Sequence, residues 1–132
     1  LIPSDNNTPF LFILILFRRS KMNAEELKYK IKTIFGEQVS FNKEFDLLAE
    51  EIKNIDTSLL SWCEQVRDKK ILPVTGSVLG DRIAFIKKIG SSNRCIIIKI
   101  KNGIFTEVHL GNHAYYNKLT NTLGLKKSGK FY

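Results

Sequence analysis

A chain of 132 residues with a net charge of +8 has room for one modest hydrophobic core and reads as a single domain. Its hydrophobic share of 43% and charged share of 26% are ordinary globular values, which argue against a disordered or fibrous chain. The charge is uneven. Residues 1–78 hold 11 Lys/Arg against 11 Asp/Glu, whereas residues 79–132 hold 10 Lys/Arg against only Asp81 and Glu107. A one-sided basic surface suits a polyanion, because each neutralised phosphate releases condensed counterions. The plainer reading is a solvated face that aids solubility.

The first methionine is Met22, and the apolar run before it, Pro9 to Phe17, spans nine residues. A bilayer crossing needs roughly 20. Asp5 precedes the run while Arg18, Arg19 and Lys21 follow it, the reverse of a signal peptide's order. Residues 1–21 are therefore expected to be a non-native or disordered extension, and residues 22–132 the working domain; a membrane-surface anchor is the rival reading. Cys63 and Cys95 lie in apolar stretches without a CxxC or a nearby pair of histidines. They are expected to be buried thiols in a reducing cytoplasm, with a disulfide between them left open.

In chain order, Leu27, Ile31 and Ile34 recur at helical spacing and predict an amphipathic helix over 24–35, stopped by Gly36. A brief strand over 38–41 follows. Asn42 is then expected to cap a helix with Phe45, Leu48, Ala49, Ile52 and Ile55 on its apolar side. Asp56 opens another with Leu59, Leu60, Cys63 and Val66 inward. The two read as a helical hairpin whose acidic residues Glu50, Glu51, Glu64 and Asp68 form a solvated outer face.

Pro73, Gly76 and Gly80 break the helical pattern over 71–81, after which the period changes to two. Strands are expected over 82–89, 94–101 and 104–110. Asn102-Gly103 predicts a two-residue hairpin turn, which sets Lys101 opposite Ile104, Ile100 opposite Phe105, Ile98 opposite Glu107 and Ile96 opposite His109. One face then carries Ile96, Ile98, Ile100 and Phe105 and is expected to lie under the helices. The other, with Cys95, Ile97, Lys99, Lys101, Thr106, Val108 and Leu110, is expected to be partly open. A short helix after His113 ends near Gly124. The tail that follows combines Lys126, Lys127 and Lys130 with Phe131-Tyr132, a mixture suited to phosphates and stacked bases.

No phosphate-binding glycine loop, metal-ligand cluster or Ser/His/Asp arrangement is evident, so neither a metal nor a small-molecule cofactor is expected. What remains is His109 and His113 beside Tyr115 and Tyr116, with the cations Arg82, Lys87, Lys88 and Arg94. Metal-free RNA cleavage needs a base for the 2′-hydroxyl proton, an acid for the leaving oxygen and cations for the phosphorane charge. Histidine, tyrosine and Arg/Lys can supply these. The plainer readings are a helix-capping His113, a packed His109, ordinary core and rim tyrosines, and Arg94 and Lys88 as turn-flanking charges.

The order of elements, the Leu79-Gly80-Asp81 loop, Arg94 opening a strand, and Gly111-Asn112-His113 leading into a tyrosine-bearing helix together resemble the RelE/ParE superfamily of type II toxin-antitoxin toxins over about residues 39–124. The likeness is greatest to the branch with a Leu-Gly-Asp loop and a Gly-Thr-His segment. It implies an α+β fold with a small antiparallel sheet of three or four strands on a helical hairpin. It also implies a cytoplasmic, ribosome-associated endoribonuclease that cuts mRNA, is held by a cognate antitoxin, and needs no membrane. By the same resemblance His113 is the catalytic histidine, Arg94 stabilises the phosphate, and Tyr115 or Tyr116 supplies the neighbouring aromatic. Lys87 and Lys88 would add phosphate contacts, and the wider RNA-binding set comprises Arg82, Lys99, Lys101, Lys118, Lys126, Lys127 and Lys130. Against the family pattern, the helix over 24–35 is extra and Asn112 stands where threonine is usual. A non-catalytic RNA- or ribosome-binding module and a gyrase-directed toxin are the alternatives.

Overall fold

The computed structural model describes residues 22–52, 54–74 and 81–123. The extension 1–21, Leu79-Gly80 and the tail lysines 126, 127 and 130 lie outside them.

Helix α1, Ala24–Phe35, forms where Asn23 and Glu26 make a reciprocal capping box, and it ends at Gly36, whose φ of 115° a side chain would resist. Its inward residues Leu27 and Ile31 are fully buried. Strand β1, Ser40–Phe41, and helix α2, Phe45–Glu51, follow, and then α3, Ile55–Arg67. Neither expected cap serves its helix: α2 is preceded by Glu44, the Asn42 side chain bonding to Leu110 instead, and Asp56 lies inside α3, which is preceded by Asn54 at a φ of 56°.

In place of a simple hairpin of α2 and α3, the helix that the resemblance left over organises the layer. Helix α1 packs on both α2 and α3. The Glu50 carboxylate accepts the Ala24 N–H at 2.8 Å, and Lys28 reaches Asp46 at 2.9 Å. The Asp46 hydrogen bond is the main reason the Lys28 ammonium titrates above its usual value. Glu50, expected to be merely solvated, thus satisfies an orphan amide at the start of α1.

Strands β2 (Arg82–Ile89), β3 (Asn93–Ile100) and β4 (Phe105–Asn112) form an antiparallel meander. Strand β1 adds in parallel to the outer edge of β4, so the sheet is mixed, in the order β1-β4-β3-β2. Val74 bridges to Ala84 on β2. Beyond β1, the Asn42 side chain continues the ladder: its Nδ2 donates to the Leu110 carbonyl and its Oδ1 accepts the Leu110 N–H, both at 2.8 Å. Helix α4, His113–Leu123, closes the described chain. This is an α+β architecture of a small sheet with helices.

The expected turn at Asn102-Gly103 is one residue longer. Asn102 alone takes a positive φ, of 60°, and Ile100 N–H donates to the Ile104 carbonyl around a three-residue loop. Lys99 therefore pairs with Phe105 rather than Ile100 doing so. Between Ile98 and Lys99 the register shifts, leaving Thr106 as the extra residue on β4. From there on the expected pairs, Ile98 with Glu107 and Ile96 with His109, are the ones observed. The extra residue also puts Phe105 on the same face as Lys99, 4.2 Å from the Phe35 ring between centroids.

The expectation about the faces is reversed. Cys95, Ile97, Val108 and Leu110, joined by Phe85 and Ile89, form the main core with α1, α2 and α3. The lysines on this face do not make it an open one, because Lys87 and Lys99 extend along the rim of this layer and are half-buried. Ile96, Ile98 and Ala84 turn to the opposite face, where Val74 and the Tyr116 and Leu119 of α4 cover them. Both cysteines are buried free thiols. Burial pushes Cys63 up to about 12 and Cys95 well above the ordinary thiol range, an environment that disfavours the reactive thiolate.

Candidate active site at the junction of β4 and α4

The period of two sorts the basic residues before any chemistry is considered. On the α4 side, Lys88, Arg94 and Gly111 form one cross-strand row, Ile86, Ile96 and His109 the next, and Ala84, Ile98 and Glu107 the third. Arg82, across from Ile100, lies at the far end of the same face. Lys87 and Lys99 point to the opposite face, Lys101 is exposed in the hairpin loop, and Lys118 is exposed on α4. The expected RNA-binding set is therefore split between the two sides of the sheet.

The sequence bends from β4 into α4 at Gly111-Asn112-His113. Asn112 is the N-cap: its side-chain oxygen accepts the Tyr115 N–H at 2.9 Å. Gly111 is needed because a Cβ there would overlap the Tyr115 ring. With that ring laid over Gly111, the Tyr115 hydroxyl reaches His109 Nδ1 at 2.7 Å, and His109 Nε2 reaches the Glu107 carboxylate at 2.7 Å. An ionised carboxylate can only accept, so Nε2 carries the proton. In the neutral ring Nδ1 then accepts from the Tyr115 hydroxyl.

This line of three groups is half-buried. The hydrogen bond from His109 holds the Glu107 carboxyl below its usual value, and the charges of His109 and Arg82 add to the effect. Burial raises the Tyr115 phenol, with the Glu44 charge acting the same way and a hydrogen bond to Asn42 opposing it.

The four residues expected to be catalytic are near one another in the fold but differ in access. His113 is exposed at the first position of α4, its ring 6.2 Å from that of Tyr116. Tyr115 is half-buried beside His109. Tyr116 is 1% exposed and Arg94 4%. The Arg94 guanidinium lies 5.6 Å from the Tyr116 ring centroid, in cation–π range, and its Nη1 donates to the Asn93 carbonyl at 2.9 Å. The linkage of Glu107, His109 and Tyr115 was not anticipated. Its signal was there in the i, i+2 spacing of an acid and a histidine on a strand, but the close approach of Tyr115 depends on Gly111.

Among the described residues, no group of three His, Cys, Asp or Glu is placed to hold a metal ion, and no helix is long and apolar enough to cross a membrane. Searches of protein-family models, curated proteins and solved structures give no match to the chain.

Proposed function

We propose that the chain binds RNA and cleaves messenger RNA as a RelE-type toxin, with the reacting centre at the junction of β4 and α4. The observation that carries this reading is the exposed His113 at the first position of α4, two residues before the Tyr115 whose hydroxyl is linked through His109 to Glu107, at the end of the sheet where Lys88 is also exposed.

In this reading His113 takes the proton from a 2′-hydroxyl, which attacks the adjacent phosphorus as the bond to the 5′-oxygen breaks. Tyr115 gives its proton to that leaving oxygen. When both ring nitrogens of His109 carry protons, Nε2 donates to Glu107 and Nδ1 to the Tyr115 oxygen, which stabilises the phenolate left by the transfer. Lys88 and the amide end of α4 meet the charge on the phosphate. The products are a 2′,3′-cyclic phosphate and a free 5′-hydroxyl. A cognate antitoxin and the ribosome are the partners that go with this reading, in the cytoplasm.

A mRNA fragment incubated with the purified chain, with and without programmed ribosomes, tests it. Cleavage leaving a cyclic phosphate is expected, and His113→Gln or Tyr115→Phe should lower the rate by about 10²–10⁴-fold, the usual worth of an acid–base group. Undiminished cleavage by His113→Ala would refute the assignment. The burial of Arg94 and Tyr116 favours a second reading, a non-catalytic RNA-binding module. For that reading the outcome is salt-dependent RNA binding with no cleavage under either condition.

A further inference from the structure

The period of two along β3 puts Arg94 on the face that α4 covers, in a cross-strand row with Lys88 of β2 and Gly111 of β4. The members of that row differ in access. Lys88 is exposed on the outermost strand, Gly111 has the Tyr115 ring laid over it, and Arg94 between them is 4% exposed. The Arg94 guanidinium faces the Tyr116 ring, 5.6 Å from its centroid. Tyr116 is buried with Val74, Ala84, Ile96 and Ile98, and the ring of His113, three residues earlier, lies 6.2 Å from its own. A buried cation, a buried ring and an exposed histidine thus follow one another from the sheet to the start of α4.

We propose that Arg94 is a positioning residue and not a phosphate ligand: its charge holds the Tyr116 ring, and through that ring the first turn of α4, so that His113 is presented at the end of the sheet. The inference rests on the nuclease reading of His113. A bidentate contact to a phosphate needs the guanidinium edge in reach of the strand, and Arg94 is too deep to offer it. Lys88 in the same row is left to meet the phosphate. A cation against a ring is worth more when both are withdrawn from water, and here both are. Helix α4 needs such a fixture, because it has only 11 residues and isolated helices of that length are marginal. Its seat on the sheet is the smaller of the two cores, with Tyr116 buried in it and Leu119 packed against it. Without the Arg94 charge the first turn is held less firmly, and a shift of about 1 Å in a reacting group can cost about 10²-fold in rate.

The electronics of the ring at position 116 test this with little change in shape. The reference is Tyr116→Phe in the full chain, compared with the same position carrying a ring-trifluorinated phenylalanine, which withdraws the negative face that a cation meets. Cleavage of a mRNA fragment should show kcat lowered about tenfold by the fluorines, the worth of a desolvated cation–π contact, with KM unchanged. Arg94→Met should lower kcat in the Tyr116→Phe background and lower it much less in the fluorinated one, because the two changes remove one interaction. The slope of RNA binding against salt should stay as in the parent. Hydrogen exchange in the first turn of α4 should quicken in the fluorinated chain, which keeps the proposal testable if Arg94→Met does not fold. A full further loss from Arg94→Met in the fluorinated background, with a salt slope smaller by about one, would make Arg94 a phosphate ligand and overturn the proposal. So would exchange in α4 that the fluorines leave unchanged. A parent chain that cuts no RNA refutes the nuclease reading instead, and the exchange measurement then decides whether Arg94 positions α4.

Discussion

At the scale of single residues, the position that decides the site has no side chain. Gly111 lets the Tyr115 ring lie directly on the backbone of β4, and that seat brings the phenol to His109. Its φ is not among the positive ones, so the need is for space and not for an unusual backbone conformation. Gly111→Ala should therefore destabilise the fold by about 1–3 kcal/mol through overpacking, read as a lower urea midpoint. In a Tyr115→Ala background the same change should cost much less, because the ring it strikes is gone. An equal cost in both backgrounds would show that the ring is not what the glycine accommodates. In the sequence Gly111 stands out only as the start of the Gly111-Asn112-His113 segment that leads into the helix, since two residues in contact across four positions leave no periodic mark.

At the scale of elements, what could be read in advance was what repeats. Leu27 and Ile31 placed α1, the apolar run of Cys95, Ile96, Ile97 and Ile98 placed β3, and both were found within a residue or two. Local irregularities were hidden. Asn102-Gly103 suggested a two-residue turn, but the loop holds three, and Thr106 absorbs the difference, turning Phe105 toward Phe35. Deleting Thr106 should leave a regular ladder with Lys99 still opposite Phe105, losing little beyond the Thr106 hydroxyl's bond to the Ile98 carbonyl, about 1 kcal/mol. Phe105→Ser should cost more, about 2–3 kcal/mol, because it removes apolar area from the main core. Chemical denaturation of the two variants distinguishes them, and a deletion as costly as the substitution would contradict this account of the bulge. The reversed faces have a similar cause. A lysine near the end of a strand can run its stem along a core and keep its charge in water, so Lys87 and Lys99 do not mark an open face.

At the scale of the whole molecule, one sheet carries helices on both sides, with unequal cores. The larger joins α1, α2 and α3 to Cys95, Ile97, Val108 and Leu110; the smaller joins α4 to Ala84, Ile96 and Ile98. The surplus positive charge of the C-terminal half was plain from composition, but its division between the face under α4 and the face on the main core required the strand register. The basic residues of the meander thus lie on two separate faces, Arg82, Lys88 and Arg94 on the side of α4 and Lys87 and Lys99 on the side of the main core.

The sheet's far border has its own exposure to manage. Strand β1 shields β4 for two residues, Glu107 and Val108, and past them the amide of Asn42 occupies both hydrogen-bonding groups of Leu110. An amide there does what a longer strand would do without presenting a fresh border of its own. Asn42→Val should release that N–H and carbonyl, and an open strand border is a template for another copy. The variant is expected to keep its secondary structure by circular dichroism yet form concentration-dependent aggregates in light scattering. A strictly monomeric Asn42→Val at the same concentrations would show that Asn42 does not guard this border. A single side chain in the loop between β1 and α2 therefore sets how crowded this molecule can become before it sticks to itself.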